Sequence, residues 1–223
     1  MQRLFDIFFS TLAVLVLSPL LIPIMLILRF TGEGEVFYIQ PRIGVAEKEF
    51  GLIKFATMQK NSPNIGAGEM TLRDDPRILP FGKILRKTKI NELPQLINIF
   101  IGDMSIVGPR PMVPSTWRKY PILAREELSK IPPGLSGIGS IYFRDEEQFL
   151  TNEVDSERFY REVIIPYKCD LELWYMEHRN IGMYFKVIFL TVVTILSPSS
   201  SMITRLFQGI PDPPLEIVRK IGL

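Results

Sequence analysis

Between Lys83 and Arg110 the chain gathers the groups that phosphate chemistry needs. Lys83, Arg86, Lys87 and Lys89 form a basic run, Asn91-Glu92 follows at once, and Arg110 stands between Pro109 and Pro111. The two pyrrolidine rings fix φ on either side. Arg110 is therefore presented from a stiff loop, where its planar fork suits bidentate recognition of phosphate. Glu92 adds one carboxylate beside these cations. An arginine clamp, a basic run and a carboxylate at a helix start are parts of a phosphoryl-transfer site. The same residues also suit a capped surface helix with solvated lysines, and local pattern alone does not separate the two.

The elements that must position these groups follow from periodicity and punctuation. Leu93, Leu96, Ile97 and Phe100 recur at helical spacing and predict a helix with one buried face. Asn91 is its expected N-cap, Pro94 is tolerated in the first turn, and Gly102 is placed to end it in the left-handed conformation. The free N–H groups at such a helix start favour an anion. Val36–Gln40 reads as a strand broken by Pro41-Arg42-Ile43-Gly44, with Phe50–Phe55 as its partner carrying Lys54. Residues 59–76 read as a loop, and Gly66-Ala67-Gly68 within it lacks the strand-then-helix setting of a dinucleotide fingerprint. An amphipathic helix is expected over Ser115–Lys130, closed by Ile131-Pro132-Pro133-Gly134. Phe149–Asp155 reads as linker and Glu157–Arg179 as a further helix. Val187–Leu196 is apolar but too short to span a bilayer, which leaves the membrane interface or the core. Ser197–Leu223, with Pro198, Pro211, Pro213 and Pro214, is expected to be irregular.

Composition narrows the function. A formal charge of +2 over 223 residues gives no general reason to bind nucleic acid, and none is expected as a partner. Cys169 is the single cysteine, which excludes an intrachain disulfide and fits a reducing compartment. His178 is the single histidine, which leaves little scope for a histidine-based zinc site, so acid–base work falls to carboxylates. From Ile7 to Leu28 no charged residue occurs, long enough to cross a hydrocarbon core of about 30 Å. No A-x-A-like cleavage site follows, as a signal peptide would need. Pro19 and Pro23 each remove a helix hydrogen bond, and Ser18 can satisfy part of the freed backbone. A straight span and a bend that returns to the same face both remain open on these residues. The chain divides into membrane-embedded residues 1–30, a compact domain over 31–198 and a tail over 199–223.

Taken together, Leu85-Arg86, Asn91-Glu92-Leu93-Pro94-Gln95-Leu96, Gly102-Asp103-Met104-Ser105 and Gly108-Pro109-Arg110-Pro111 resemble the signature of the bacterial sugar transferases, the monotopic phosphoglycosyl transferases. Lys54-Phe55-Ala56-Thr57-Met58, Pro133-Gly134-Leu135-Ser136-Gly137 and Glu172-Leu173-Trp174-Tyr175 are similar to further family motifs. One position departs: the family's usual aspartate is Asn91 here. The resemblance implies a mixed α/β fold, a compact cytoplasmic domain with an N-terminal re-entrant membrane helix broken at Ser18-Pro19. An Arg-x-x-Asp like Arg3 to Asp6 precedes that break in the family. Location at the cytoplasmic face of a bacterial inner membrane follows.

The implied activity moves a sugar phosphate from a UDP-sugar to undecaprenyl phosphate. It gives a polyprenyl diphosphate sugar and UMP, requires Mg²⁺, and starts a surface glycan. Lys54, Arg86, Arg110 and Arg144 are the implied phosphate contacts. Asn91 and Glu92 are the catalytic and metal-binding pair. In the family the aspartate attacks the β-phosphate, which an amide does poorly. Three readings follow. Glu92 is the nucleophile; or the lipid phosphate attacks directly while Asn91 orients or ligates metal; or the chain is a non-catalytic membrane-bound subunit that binds sugar nucleotide or polyprenyl phosphate.

Overall fold

In a computed structural model the described residues are 1–65, 71, 75–144, 158–196 and 206–221. They form a mixed helix and strand architecture in which one long helix lies along a set of short elements. That helix, α1 (Gln2–Phe30), has 29 residues, roughly 43 Å at 1.5 Å per residue, and is long and apolar enough to cross a membrane. One stripe of it faces the protein: Ala13, Val14 and Leu17 pack around Leu52, Leu96 and Ile99, and Leu21, Ile24, Met25 and Leu28 around Phe55 and Leu85. The opposite face leaves Leu4, Phe8, Leu12, Leu15, Val16, Leu20 and Leu26 exposed.

Polar tethers fix the first turn. Asp6 is buried, and its Oδ1 accepts from Ser105 Oγ at 3.0 Å, Ile106 N at 3.0 Å and Tyr184 OH at 2.9 Å. Arg3 donates to the carbonyls of Ile99 and Phe100, which closes the end of a second helix whose last carbonyls lack intrahelical partners. The expected break at Ser18-Pro19 does not interrupt α1. Pro19 deprives the Leu15 carbonyl of its donor, and Ser18 Oγ supplies one at 2.8 Å, so the helical path continues to Phe30.

After α1 come β1 (Phe37–Ile43) and β2 (Glu49–Phe55), an antiparallel pair in the register Tyr38↔Lys54, Gln40↔Leu52 and Arg42↔Phe50. The strand does not stop at Gln40. Pro41 pairs opposite Gly51 on the outer strand of the sheet, where a missing N–H leaves the ladder intact. The far edge of β2 is covered by a side chain: Asn98 Oδ1 accepts from Ile53 N at 3.0 Å and its Nδ2 donates to Gly51 O at 2.8 Å.

Helix α2 (Pro80–Lys87) leads through a 3₁₀ turn, Ile90–Glu92, into α3 (Gln95–Ile101). Gly102 ends α3 at φ +107°, as its position predicts. Asn91 is not the N-cap. It lies inside the 3₁₀ turn, and Pro94 occupies the cap position without a side-chain bond. The buried face of α3 is Gln95, Leu96, Asn98 and Ile99, while Ile97 and Phe100 are exposed, because Asn98 must reach β2.

Strand β3 (Ser105–Val107) pairs in parallel with β4 (Gly134–Ser136). Between them the single helix expected over 115–130 is two, α4 (Pro114–Trp117) and α5 (Ile122–Leu128). Pro121 is the cause: its ring disfavours helical backbone at Tyr120, and it serves as the cap of the second helix. Then come α6 (Ile138–Tyr142), α7 (Ile165–His178), entered through a π turn, and α8 (Ile181–Leu196). The main core lies among these, with Ile138, Ile164, Leu171, Tyr184, Val187 and Leu190 buried. Helix α8 buries that face and exposes Phe185, Phe189, Val192 and Ile195.

The chain's last part is not irregular throughout. Phe207 and Ile217 are buried in the same core, Tyr167 OH donates to Pro211 O at 2.9 Å, and Leu215–Ile221 is helical. The glycine motif at 66–68 and the linker over 149–155 lie outside the described residues.

Candidate active site

Three segments that are distant in sequence converge on one pocket. From the hairpin come Arg42, Leu52 and Lys54, which the register and the two-residue period of a strand place on a single face. From the turn after α2 come Glu92 and Gln95. From the loop after β3 come Arg110 and Pro111, closed off by Gly134 and Leu135 of β4.

Each segment is locked locally. Lys89, at φ +58°, takes the left-handed conformation that few side-chain-bearing residues adopt, and it turns the chain from α2 into the Ile90–Glu92 turn. Its Nζ donates to the carbonyl of Arg144 at 3.1 Å. The Pro109-Arg110-Pro111 loop is held at both carbonyls: Gly134 N donates to Pro109 O at 2.8 Å, and Arg42 Nη1 to Pro111 O at 2.9 Å. Arg42 Nη2 donates to Gln40 Oε1 at 2.7 Å, so its guanidinium both braces the loop and faces the pocket.

Charge dominates the chemistry. Burial alone would raise the Glu92 carboxyl, but Arg110, Lys54, Lys89 and Arg42 outweigh it and hold the group below its ordinary value. Glu92 is thereby kept ionised. Lys54 goes the other way: burial first and the Arg42 charge second push it down to about 7, against the opposing pull of Glu92. Glu92 is the carboxylate lining this pocket, and its cationic neighbours outnumber it. Such a charge balance suits a ligand carrying several negative charges, since Arg110 and Arg42 have planar forks that match phosphate oxygens.

Of the residues singled out from sequence, Lys54, Glu92 and Arg110 line the pocket together. Asn91 does not: its side chain is buried, and Oδ1 has no hydrogen-bond partner. Arg86 stands outside the lining, with Nη1 3.9 Å from Met58 Sδ, although its charge reaches Lys54. The guanidinium of Arg144 donates to the Thr194 carbonyl on α8 instead of entering the pocket. Arg42 and Gln95 are the lining residues that sequence reasoning passed over. Extending β1 by two residues would have placed Arg42 on the Lys54 face; ending it at Gln40 hid that alternation. Among the described residues no group of three His, Cys, Asp or Glu side chains gathers to hold a metal.

Comparison with known proteins identifies the family. The Bacterial sugar transferase family model matches residues 1–198. The chain is 34% identical over 196 residues to an undecaprenyl-phosphate glucose phosphotransferase of Komagataeibacter xylinus, covering 86% of this chain and 35% of that protein. It is 37% identical over 164 residues to the exopolysaccharide production protein ExoY of Sinorhizobium fredii, covering 67% of this chain and 72% of that one. A UDP-glucose:undecaprenyl-phosphate glucose-1-phosphate transferase of Escherichia coli is 32% identical over 195 residues, covering 86% and 39%. The chain therefore spans little more than a third of the length of two of these relatives. By the extent of that family match, the chain belongs to the bacterial sugar transferase family.

Proposed function

We propose that the chain transfers a sugar phosphate from a UDP-sugar to undecaprenyl phosphate, giving a polyprenyl diphosphate sugar and UMP, as the entry step of a surface glycan. The observation that carries this reading is the placement of Glu92 in one pocket with Lys54, Arg42 and Arg110. Family membership and the relatives' names point the same way.

The ionised Glu92 carboxylate attacks the phosphorus that bears the sugar. The bond from that phosphorus to the bridging oxygen of UMP breaks, UMP leaves with the electron pair, and an acyl phosphate joins Glu92 to the sugar phosphate. A phosphate oxygen of the lipid then attacks the same phosphorus and Glu92 departs as carboxylate. Arg110, Arg42 and protonated Lys54 offset the charge on the phosphate oxygens through both steps.

Mg²⁺ fits this donor set as an ion held by substrate. One pocket carboxylate together with phosphate oxygens suits its coordination, and the orphaned Asn91 Oδ1 is a second protein oxygen one residue away. Glu92 would hold it, with Asn91 able to join only if its buried side chain turned toward the pocket, and when bound the ion would neutralise diphosphate charge.

We place the pocket at the cytoplasmic face of a bacterial inner membrane, where a lipidic and a soluble substrate can meet. We further read α1 as re-entrant. Support comes from its two ends, since Arg3 and Asp6 at one and Ile24 and Leu28 near the other rest on the same domain. The test is incubation of purified protein with radiolabelled UDP-sugars, undecaprenyl phosphate and Mg²⁺. Labelled lipid and stoichiometric UMP are expected; UDP-sugar binding without either product would instead favour a non-catalytic binding subunit.

A further inference from the structure

Glu172 is a charged residue in the middle of the core helix α7, 1% exposed. A carboxylate so placed is costly unless something fixes it there. Its Oε1 accepts the backbone N–H of Arg110 at 3.2 Å, while Oε2 is buried without a hydrogen-bond partner. The backbone at Gly139 leaves room for it: a Cβ added there would stand 2.5 Å from Oε1. Burial pushes the carboxyl up to about 7, against the opposing effects of the Arg110 N–H and of the Lys168 and Arg110 charges.

In Pro109-Arg110-Pro111 only Arg110 has a backbone N–H, since proline has none. The flanking prolines are tied through their carbonyls, Pro109 O to Gly134 N and Pro111 O to Arg42. Glu172 thus takes the single backbone donor of this tripeptide, on the residue whose guanidinium lines the pocket. We propose that Glu172 is a positioning residue: through the Arg110 N–H it sets the orientation of the loop that carries the phosphate-binding Arg110. The inference rests on the proposed phosphate-transfer reading for its effect on activity, but not for its effect on the loop. An ionised carboxylate, a carboxylic acid and an amide all offer an oxygen to this N–H, so acceptor geometry decides the outcome.

Glu172→Gln keeps the acceptor, and Glu172→Met keeps the volume without it. Hydrogen exchange across residues 109–111 of the full-length protein reports the Arg110 amide alone. Exchange there should quicken at least tenfold in Glu172→Met and stay protected in Glu172→Gln. The kcat/KM for the UDP-sugar should fall tenfold or more in Glu172→Met, with Glu172→Gln restoring most of it. In an Arg110→Ala background, Glu172→Met should cost no further activity, whereas a general structural defect would multiply with it. Should Glu172→Met not fold, Gly139→Ala displaces the carboxylate without removing it and should give the same exchange and kinetic changes. Unchanged Arg110 exchange in the folded Glu172→Met or Gly139→Ala protein overturns the proposal. So does a full extra loss in the Arg110→Ala background. If the wild type shows no sugar transfer, the functional reading fails while the exchange measurement still decides this one.

Discussion

Lys54 on the hairpin and Glu92 on the turn after α2 face one pocket, and each favours the other's charged form. Arg42 on the same strand face works against Lys54 and in favour of Glu92. The result is an ionised carboxylate beside a lysine whose proton is held only near neutrality. Several measurable consequences depend on that pairing.

Glu92→Gln should abolish turnover, with a loss of at least a hundredfold (about 2.7 kcal/mol) and little change in thermal unfolding. Mass spectrometry of the wild type given UDP-sugar without lipid acceptor should find a phospho-sugar adduct on Glu92. Reproducible absence of the adduct alongside normal turnover would favour direct attack by the lipid phosphate. Full activity in Glu92→Gln would remove the residue from the mechanism.

Lys54 has a folded pKa of about 7 against an ordinary 10.5, so it loses its charge as pH rises through neutrality. The kcat/KM should therefore decline above about pH 7, and Lys54→Arg, charged throughout, should flatten that limb. By linkage the folded state binds fewer protons here than the unfolded chain between about 7 and 10.5. Lys54 thus contributes a gain in stability as pH rises across that window, which pH-dependent unfolding of wild type and Lys54→Met can separate. An identical pH profile in Lys54→Arg would contradict the assignment.

Arg110→Lys keeps the charge but loses the planar fork, and activity should drop at least tenfold (about 1.4 kcal/mol). Arg42→Lys should do comparable damage, because Arg42 also ties Pro111 O. Near-normal activity in Arg110→Ala would exclude it from the site.

Asp6→Ala strands three donors, Ser105 Oγ, Ile106 N and Tyr184 OH, in a buried place. Unpaired buried groups cost about 1–3 kcal/mol each, so a clear fall in melting temperature is expected in nanodiscs. A melting temperature equal to the wild type's would show that the tether does not hold α1.

The orientation of α1 can be read with Gln2→Cys and Glu33→Cys, since the native Cys169 is buried. Both new thiols should react with an impermeant reagent from the cytoplasmic side alone. Reaction of one of them from the periplasm would establish a full crossing.

Sequence by itself determined the parts whose chemistry is local. The uncharged run of α1 needs no context to be a membrane candidate, because length and apolarity suffice. Arg110 between two prolines is a stiff presentation whatever surrounds it. Glu92 could be singled out by its cationic neighbours in the chain, and the hairpin partners by their apolar runs.

What only tertiary structure decided is which faces meet. Periodicity marked Ile97 and Phe100 for burial, yet Asn98 takes the inner face because β2 needs its edge amides satisfied. Pro41 reads as a strand breaker, but on the outer edge the strand needs no N–H there and runs on to carry Arg42. The tail's Phe207 and Ile217 looked irregular among prolines but complete the main core. Nothing in the local pattern around Glu172 marks it for a role; α7 brings it beneath Arg110, 62 residues away in the chain. Propensity and punctuation act over a few residues, whereas the pocket joins β2, the α2–α3 turn and the loop after β3. Which long-range pairs satisfy each buried polar group is settled only when those segments pack.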